Sequence, residues 1–197
     1  MPGRLVVVRH GETEWSRAGR HTGRSDIALT RRGEQEAELV GPTLAGWNFD
    51  AAYSSPLERA RETARIAGYD VTLDDDLLEW DYGEMEGLTT DQLISDRPAW
   101  SKWRDDVVGG EKPADVGRRA DRFLDRLGPL DGDAVVFAHG HLLSILIARW
   151  LDLDAIEGRR FPLATATATV LAHRRGDRVL ETLNHRCGPA LDAMGAR

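Results

Sequence analysis

Cysteine is almost missing from this chain: Cys187 is the only one in 197 residues. No intrachain disulfide can form, which fits a reducing compartment. Long apolar runs are missing too. Leu5–Val8 is too short for the core of a signal peptide, and the run around Leu142–Ala148 falls far short of the roughly 20 residues that span a bilayer. These absences predict a cytoplasmic protein with no membrane partner. Basic charge is in deficit, with 26 Lys and Arg against 33 Asp and Glu and a net charge of -7. A nucleic-acid partner is therefore not expected, because phosphate backbones require a basic surface. Internal repeats and low-complexity linkers are absent as well.

What is present reads as ordinary globular protein: 41% hydrophobic and 30% charged residues, enough for a core without metals or disulfides. The length suits one domain over residues 1–197. The charge deficit reverses locally. Between Arg4 and Arg32 there are seven arginines (4, 9, 17, 20, 24, 31, 32) and three acids, a surplus of +4. Such a region suits a small anionic ligand or simply a solvated charged face.

The apolar, β-branched run Leu5–Val8 predicts a strand buried on both faces. Thr30 can cap a helix that carries Ala37, Leu39, Val40 and Leu44. Residues 51–54 predict a strand, with Pro56 in the first turn of a helix reaching about Ala67. Val71–Leu73 suggests another strand, 115–127 a helix, 134–138 a second buried strand and 141–151 an apolar helix. Residues 167–173 and 179–184 flank a glycine-containing turn and predict a hairpin, whose free edge offers a surface for a homodimer. The tail after Gly188 is expected to be loosely ordered. Alternating strands and helices predict an α/β fold, a three-layer α/β/α sandwich with a mostly parallel central sheet.

The two most apolar strands each end in histidine followed by glycine, His10-Gly11 and His139-Gly140. Ligands of such sheets bind beyond the carboxyl ends of the strands, so neighbouring strands would bring both imidazoles to one crevice. Arg9 precedes the first histidine, and Arg59 falls in the first turn of a helix after a third strand. A guanidinium fork matches phosphate oxygens, and a helix N-terminus favours an anion. A phosphate pocket also needs an acid for the leaving oxygen. Glu79, between Leu78 and Trp80, is the candidate, with an apolar surrounding expected to raise its pKa.

The string Arg9-His10-Gly11-Glu12-Thr13-Glu14-Trp15 resembles the signature of the histidine phosphatase superfamily, whose fold is phosphoglycerate mutase-like. The likeness continues through Thr22-Gly23, Asp26, Leu29-Thr30, Ser54-Ser55-Pro56, Arg59-Ala60 and Thr63-Ala64. It resumes at Glu79, Tyr82-Gly83, Glu86-Gly87, Gly110-Glu111 and His139-Gly140. Glu79–Gly83, Trp103-Arg104 and residues 138–141 look most like actinobacterial acid phosphatases and sedoheptulose bisphosphatases of the family. The resemblance implies His10 as nucleophile and Glu79 as general acid and then base. It implies Arg9, Arg59 and His139 as holders of the phosphoryl group, with Ser16, Thr22, Gly23 and Gly140 lining the phosphate site. Three positions depart from the common pattern: Ser16 where many members have Asn, Lys112 where a serine is frequent, and Ala138 before the second His-Gly.

No cofactor and no metal are expected, since the six histidines show no ligand spacing with cysteines or carboxylates. His21, Trp80, Tyr82, Arg104 and His141 are candidates for the pocket entrance. Arg20, Lys102 and Arg104 are candidates for a second phosphate. The implied activity is hydrolysis of small phosphorylated metabolites, such as sugar phosphates, through a phosphohistidine. Mutase-type transfer is the nearest alternative, disfavoured because only 60 residues separate Glu79 from His139. A phospho-ligand binding module without turnover is a further alternative, opposed by the intact set of five residues.

Overall fold

A computed structural model of the chain describes residues 3–96, 98–128 and 132–187; the tail after Gly188 lies outside them. A six-stranded sheet runs through the molecule in the order β3-β2-β4-β1-β5-β6. Its strands are β1 (Leu5–Arg9), β2 (Phe49–Ser54), β3 (Thr72–Leu73), β4 (Asp133–Ala138), β5 (Thr167–Arg174) and β6 (Asp177–Arg186). The helices are α1 (Glu14–Arg17), α2 (Arg31–Leu44), α3 (Glu58–Ile66), α4 (Thr90–Asp96), α5 (Pro113–Leu127) and α6 (Gly140–Trp150). Strands β1, β2, β3 and β4 pair in parallel, and β5 and β6 add antiparallel partners at one end.

The sheet is covered on both faces, as continuous apolar strands demand. Because side chains alternate along a strand, Leu5 and Val7 face α5 and α6, where Val116, Phe123, Leu142 and Leu146 complete a buried cluster. Val6 and Val8 face α2 and α3, packing with Val40, Leu44, Ala64 and Phe137. Helix α6 is apolar nearly all round because it is buried nearly all round, with eight of its residues inside.

Several boundaries differ from expectation for local reasons. Helix α3 begins at Glu58 with Leu57 as its N-cap, so Pro56 precedes the helix instead of occupying its first turn. Helix α5 begins two residues early, at Pro113, since proline is tolerated where the amide needs no partner. Helix α4 and the 3-10 helix Ala155–Arg160 have too little periodic apolar content to be read from sequence.

Candidate active site

The sheet register builds the site. Arg9 of β1 lies opposite Ala138 of β4, so the next residue on each strand, His10 and His139, leaves the sheet beside the other. Their ring centroids are 5.3 Å apart. The carboxyl end of β2 joins them, with the Ser55 amide donating to the Phe137 carbonyl at 3.0 Å. The turn after β1 is held tightly against the first turn of α2. A Cβ on Gly11 would lie 2.3 Å from the Gly33 carbonyl oxygen, and one on Gly33 would lie 2.1 Å from that of Glu12. Neither position has room for a side chain.

His10 is buried and lines a cavity of about 340 Å³. Its Nδ1–H donates to the Gly11 carbonyl at 2.7 Å, which fixes the tautomer and leaves the Nε2 lone pair free. Burial, reinforced by the charges of Arg9 and Arg59, holds this imidazole well below its ordinary pKa of 6.5. The ring is therefore neutral at neutral pH. Arg9 shares the cavity wall and reaches the Leu163 carbonyl at 2.5 Å through Nη1, while its buried Nε–H has no partner among the described residues. Gly140 makes this possible, since a Cβ there would sit 3.3 Å from the guanidinium carbon.

Arg59 and His139 stand behind this wall, both fully buried. The Arg59 Nε–H donates to His139 Nδ1 at 3.1 Å, so the ring proton lies on Nε2, which donates to Ser55 Oγ at 2.8 Å. The rest of the Arg59 fork donates to the carbonyls of Ser25 at 2.8 Å and Gly23 at 2.9 Å. The expected nucleophile and the residues expected to hold a phosphoryl group thus occupy two layers, with His10 and Arg9 in front and Arg59 and His139 at the back.

Glu79 lines the cavity and is buried, but its surroundings are not the apolar ones expected from its sequence neighbours. Oε1 accepts the amides of Trp80 and Leu142, each at 2.8 Å, and Oε2 accepts that of His141 at 3.0 Å. The carboxylate sits at the N-terminus of α6, where free amides and the helix dipole favour an anion. The His141 ring lies 4.0 Å from Oε2, with Nδ1 2.6 Å from the Tyr82 hydroxyl. Burial, with Lys102 next in influence, also holds His141 well below its ordinary range.

Of the other expected contacts, Ser16, Thr22, Gly140, His21, Tyr82 and His141 line the cavity, as do Arg20, Lys102 and Trp103. The Ser16 hydroxyl is engaged with Thr13 in a capping box of α1. Gly23 is not part of the lining; its amide donates to Glu86 at 2.8 Å. Trp80 is not at the entrance either, being fully buried with its indole N–H donating to the Glu111 carbonyl at 2.7 Å. Arg104 points to solvent and donates to the Ala99 carbonyl.

Two supporting groups escaped the sequence reading. Glu86 accepts the amides of Gly23 and Ser25 at 2.8 and 2.9 Å, and so shapes the loop whose carbonyls hold Arg59. Arg119 of α5 forms a bidentate pair with Glu111 at 2.7 and 2.8 Å, and donates to the carbonyls of Asp76 and Leu78 at 2.8 Å and of Glu79 at 3.3 Å. Glu86 and Glu111 were visible only as members of short motifs, and Arg119 carried no signal at all. Among the described residues, no cluster of His, Cys, Asp and Glu is arranged to hold a metal ion. None of their helices is long and apolar enough to cross a membrane.

Known proteins place this architecture. An acid phosphatase of Mycobacterium tuberculosis is 40% identical over 197 residues, spanning 98% of this chain and 97% of that protein. A sedoheptulose 1,7-bisphosphatase of Saccharomyces cerevisiae is 35% identical, spanning 76% of this chain and 68% of that protein. A mycobacterial glucosyl-3-phosphoglycerate phosphatase, solved with VO3, superposes with a TM-score of 0.82 at 30% identity, over 93% of this chain and 99% of that one. The family match runs from residue 5 to residue 186, from the first residue of β1 to the last of β6, and takes in every element that builds the cavity: this chain belongs to the histidine phosphatase superfamily, branch 1.

Proposed function

We propose that this protein is a metal-independent phosphatase that hydrolyses small phosphate monoesters through a phosphohistidine on His10. The observation that carries this reading is the state of the His10 ring. It is neutral, its Nδ1 proton is committed to a backbone carbonyl, and its Nε2 lone pair is free at the cavity wall. An imidazole so oriented is a nucleophile needing no further activation.

In the first step Nε2 attacks phosphorus and the bond to the ester oxygen breaks, while Glu79, having taken up the proton of a monoanionic phosphate ester, delivers it to the departing oxygen. Arg9, with an unspent N–H beside the cavity, donates to the equatorial oxygens. Arg59 and His139 add positive charge and a fixed dipole from the buried layer, where low dielectric lengthens their reach. In the second step Glu79 takes a proton from water, the water oxygen attacks phosphorus and the P–N bond breaks. Alcohol and inorganic phosphate are the products. The solvent-accessible cavity mouth, lined by polar residues such as Arg20 and Arg159, admits that water and favours hydrolysis over mutase-type transfer.

The test is to trap the intermediate. Wild-type protein quenched at alkaline pH after brief exposure to a labelled ester should carry acid-labile phosphate on His10. His10→Ala should lose both label and turnover while keeping its fold. Label on a serine or on His139 would overturn the assignment.

A further inference from the structure

The cavity holds more positive charge than one phosphoryl group requires. Among the described residues, Arg9, Arg20, Lys102 and Arg159 line it against a single carboxylate, Glu79. Arg159 is paired with Glu157 at 3.1 Å, and Arg20 is exposed and donates to the Gly87 carbonyl at 2.7 Å. Lys102 is different. Its ammonium is held by a neutral acceptor, His21 Nε2, at 3.2 Å, and among the described residues it has no carboxylate partner.

The holder is itself rigid. His21 is buried, and its Nδ1–H donates to the Leu88 carbonyl at 2.9 Å, so Nε2 must present a lone pair to the lysine. Tyr82 and Trp100 pack against the ring in T-shaped arrangements, with centroids 4.9 and 6.2 Å away. Ordinary structural lysines are neutralised by a carboxylate or left in water. Here a neutral imidazole orients the cation and leaves its charge unspent. Burial accordingly pushes the Lys102 pKa down to about 8, with only Glu79 opposing it. Leaving a desolvated cation unpaired costs stability, and an incoming anion removes that cost.

Resting on the phosphatase reading above, we propose that Lys102 recognises a second anionic group on the substrate, so that the site takes phosphomonoesters whose non-transferred part carries a carboxylate or another phosphate. Lys102 approaches from the segment between α4 and α5, against the Tyr82 and His21 wall. It enters the cavity lining from a different element than the Arg9 and His10 pair at the strand ends. The two charges of the substrate would thus be met by separate elements, and an ester with one charge would leave Lys102 unsatisfied.

Matched substrate pairs test this. Fructose 1,6-bisphosphate against fructose 6-phosphate isolates a second phosphate, and 3-phosphoglycerate against glycerol 3-phosphate isolates a carboxylate. Wild-type protein should prefer the doubly anionic member of at least one pair in kcat/KM. In Lys102→Met, which keeps the packed stem but not the charge, that preference should fall about 10–100-fold, the expected loss for a charge-assisted hydrogen bond in a desolvated site. Loss of preference in only one pair supports the proposal and identifies the anion as phosphate or carboxylate. Equal preference in wild type, or a preference unchanged by Lys102→Met, overturns it. Direct binding of the same four compounds to His10→Ala with and without Lys102→Met, by calorimetry, decides the question without turnover. A wild type inert on all esters would then count against the phosphatase reading alone.

Discussion

Glu79→Gln separates a proton-transfer role from a structural one, and the geometry predicts how the variant sits. Oε1 of Glu79 accepts two amides and Oε2 accepts one. A glutamine must therefore place its carbonyl at the Oε1 position, which leaves its NH₂ facing the His141 N–H. One buried donor then loses its acceptor, at a cost of about 1–3 kcal/mol in stability, visible as a lower denaturant midpoint. The side chain stays in place without a transferable proton. Poor leaving groups such as sugar alkoxides need that proton, so their hydrolysis should fall by about 10²–10⁴-fold. p-Nitrophenolate leaves without it. The variant should therefore release a rapid burst of p-nitrophenol, stoichiometric with enzyme, and then stall as phosphohistidine awaits an activated water. Rapid-quench kinetics on both substrate types measure the two steps. Equal first-step losses for alkyl and aryl esters would refute the proton-donor role and reduce Glu79 to a cap on α6.

Activity should survive exhaustive EDTA and be blocked competitively by vanadate; loss on chelation that a divalent ion restores would contradict the mechanism. Arg119→Met removes both bonds to the half-buried Glu111, which keeps Arg24 and the Asp81 amide, and the donors to the carbonyls of Asp76, Leu78 and Glu79, so stability should drop by about 1–3 kcal/mol and kcat should fall with it; an unchanged unfolding curve would remove Arg119 from the support of Glu79. Acid should weaken the fold early. His10, His139 and His141 are all held well below 6.5, burial being the first cause in each, so the unfolded chain binds protons that the folded one refuses. Stability then falls as pH drops below about 6.5, by about 1.4 kcal/mol per pH unit for each histidine. Urea midpoints that stay flat from pH 6.5 to 5, above the range where carboxylates titrate, would show that the rings accept protons in the fold.

The front of the site was legible because it depends on local sequence. Two buried strands ending in His-Gly could be seen as such; that they are parallel neighbours, which brings the two rings together, is given by the fold. Thr30 was legible as a cap for the same reason, its hydroxyl accepting the Gly33 amide three residues on. Glu79 was legible as a residue but not as an environment. Leu78 and Trp80 suggested an apolar pocket, whereas the groups that touch the carboxylate include amides of α6, 62 and 63 residues away. Glu86 and Arg119 act over similar separations, and nothing near them in sequence announces the backbone groups they bind.

The local surplus of +4 between Arg4 and Arg32 allowed two readings, and the fold separates them. Taken alone it suited either a small anionic ligand or a solvated charged face. In the fold, Arg4 pairs with Asp133, Arg17 with Glu14, Arg24 with Asp81 and Glu111, and Arg32 with Glu12 and Glu36. Arg31 is exposed, and only Arg9 and Arg20 reach the cavity. Most of the excess is cancelled by carboxylates, some of them brought in from distant segments. Further charge at the site comes from elsewhere: Arg59 behind the cavity wall, and Lys102 from later in the chain. A positive cavity on a protein of net charge -7 is thus a product of which cations the fold leaves without acids. Of those lining the cavity beyond the strand ends, Lys102 is the one held in place by a neutral ring.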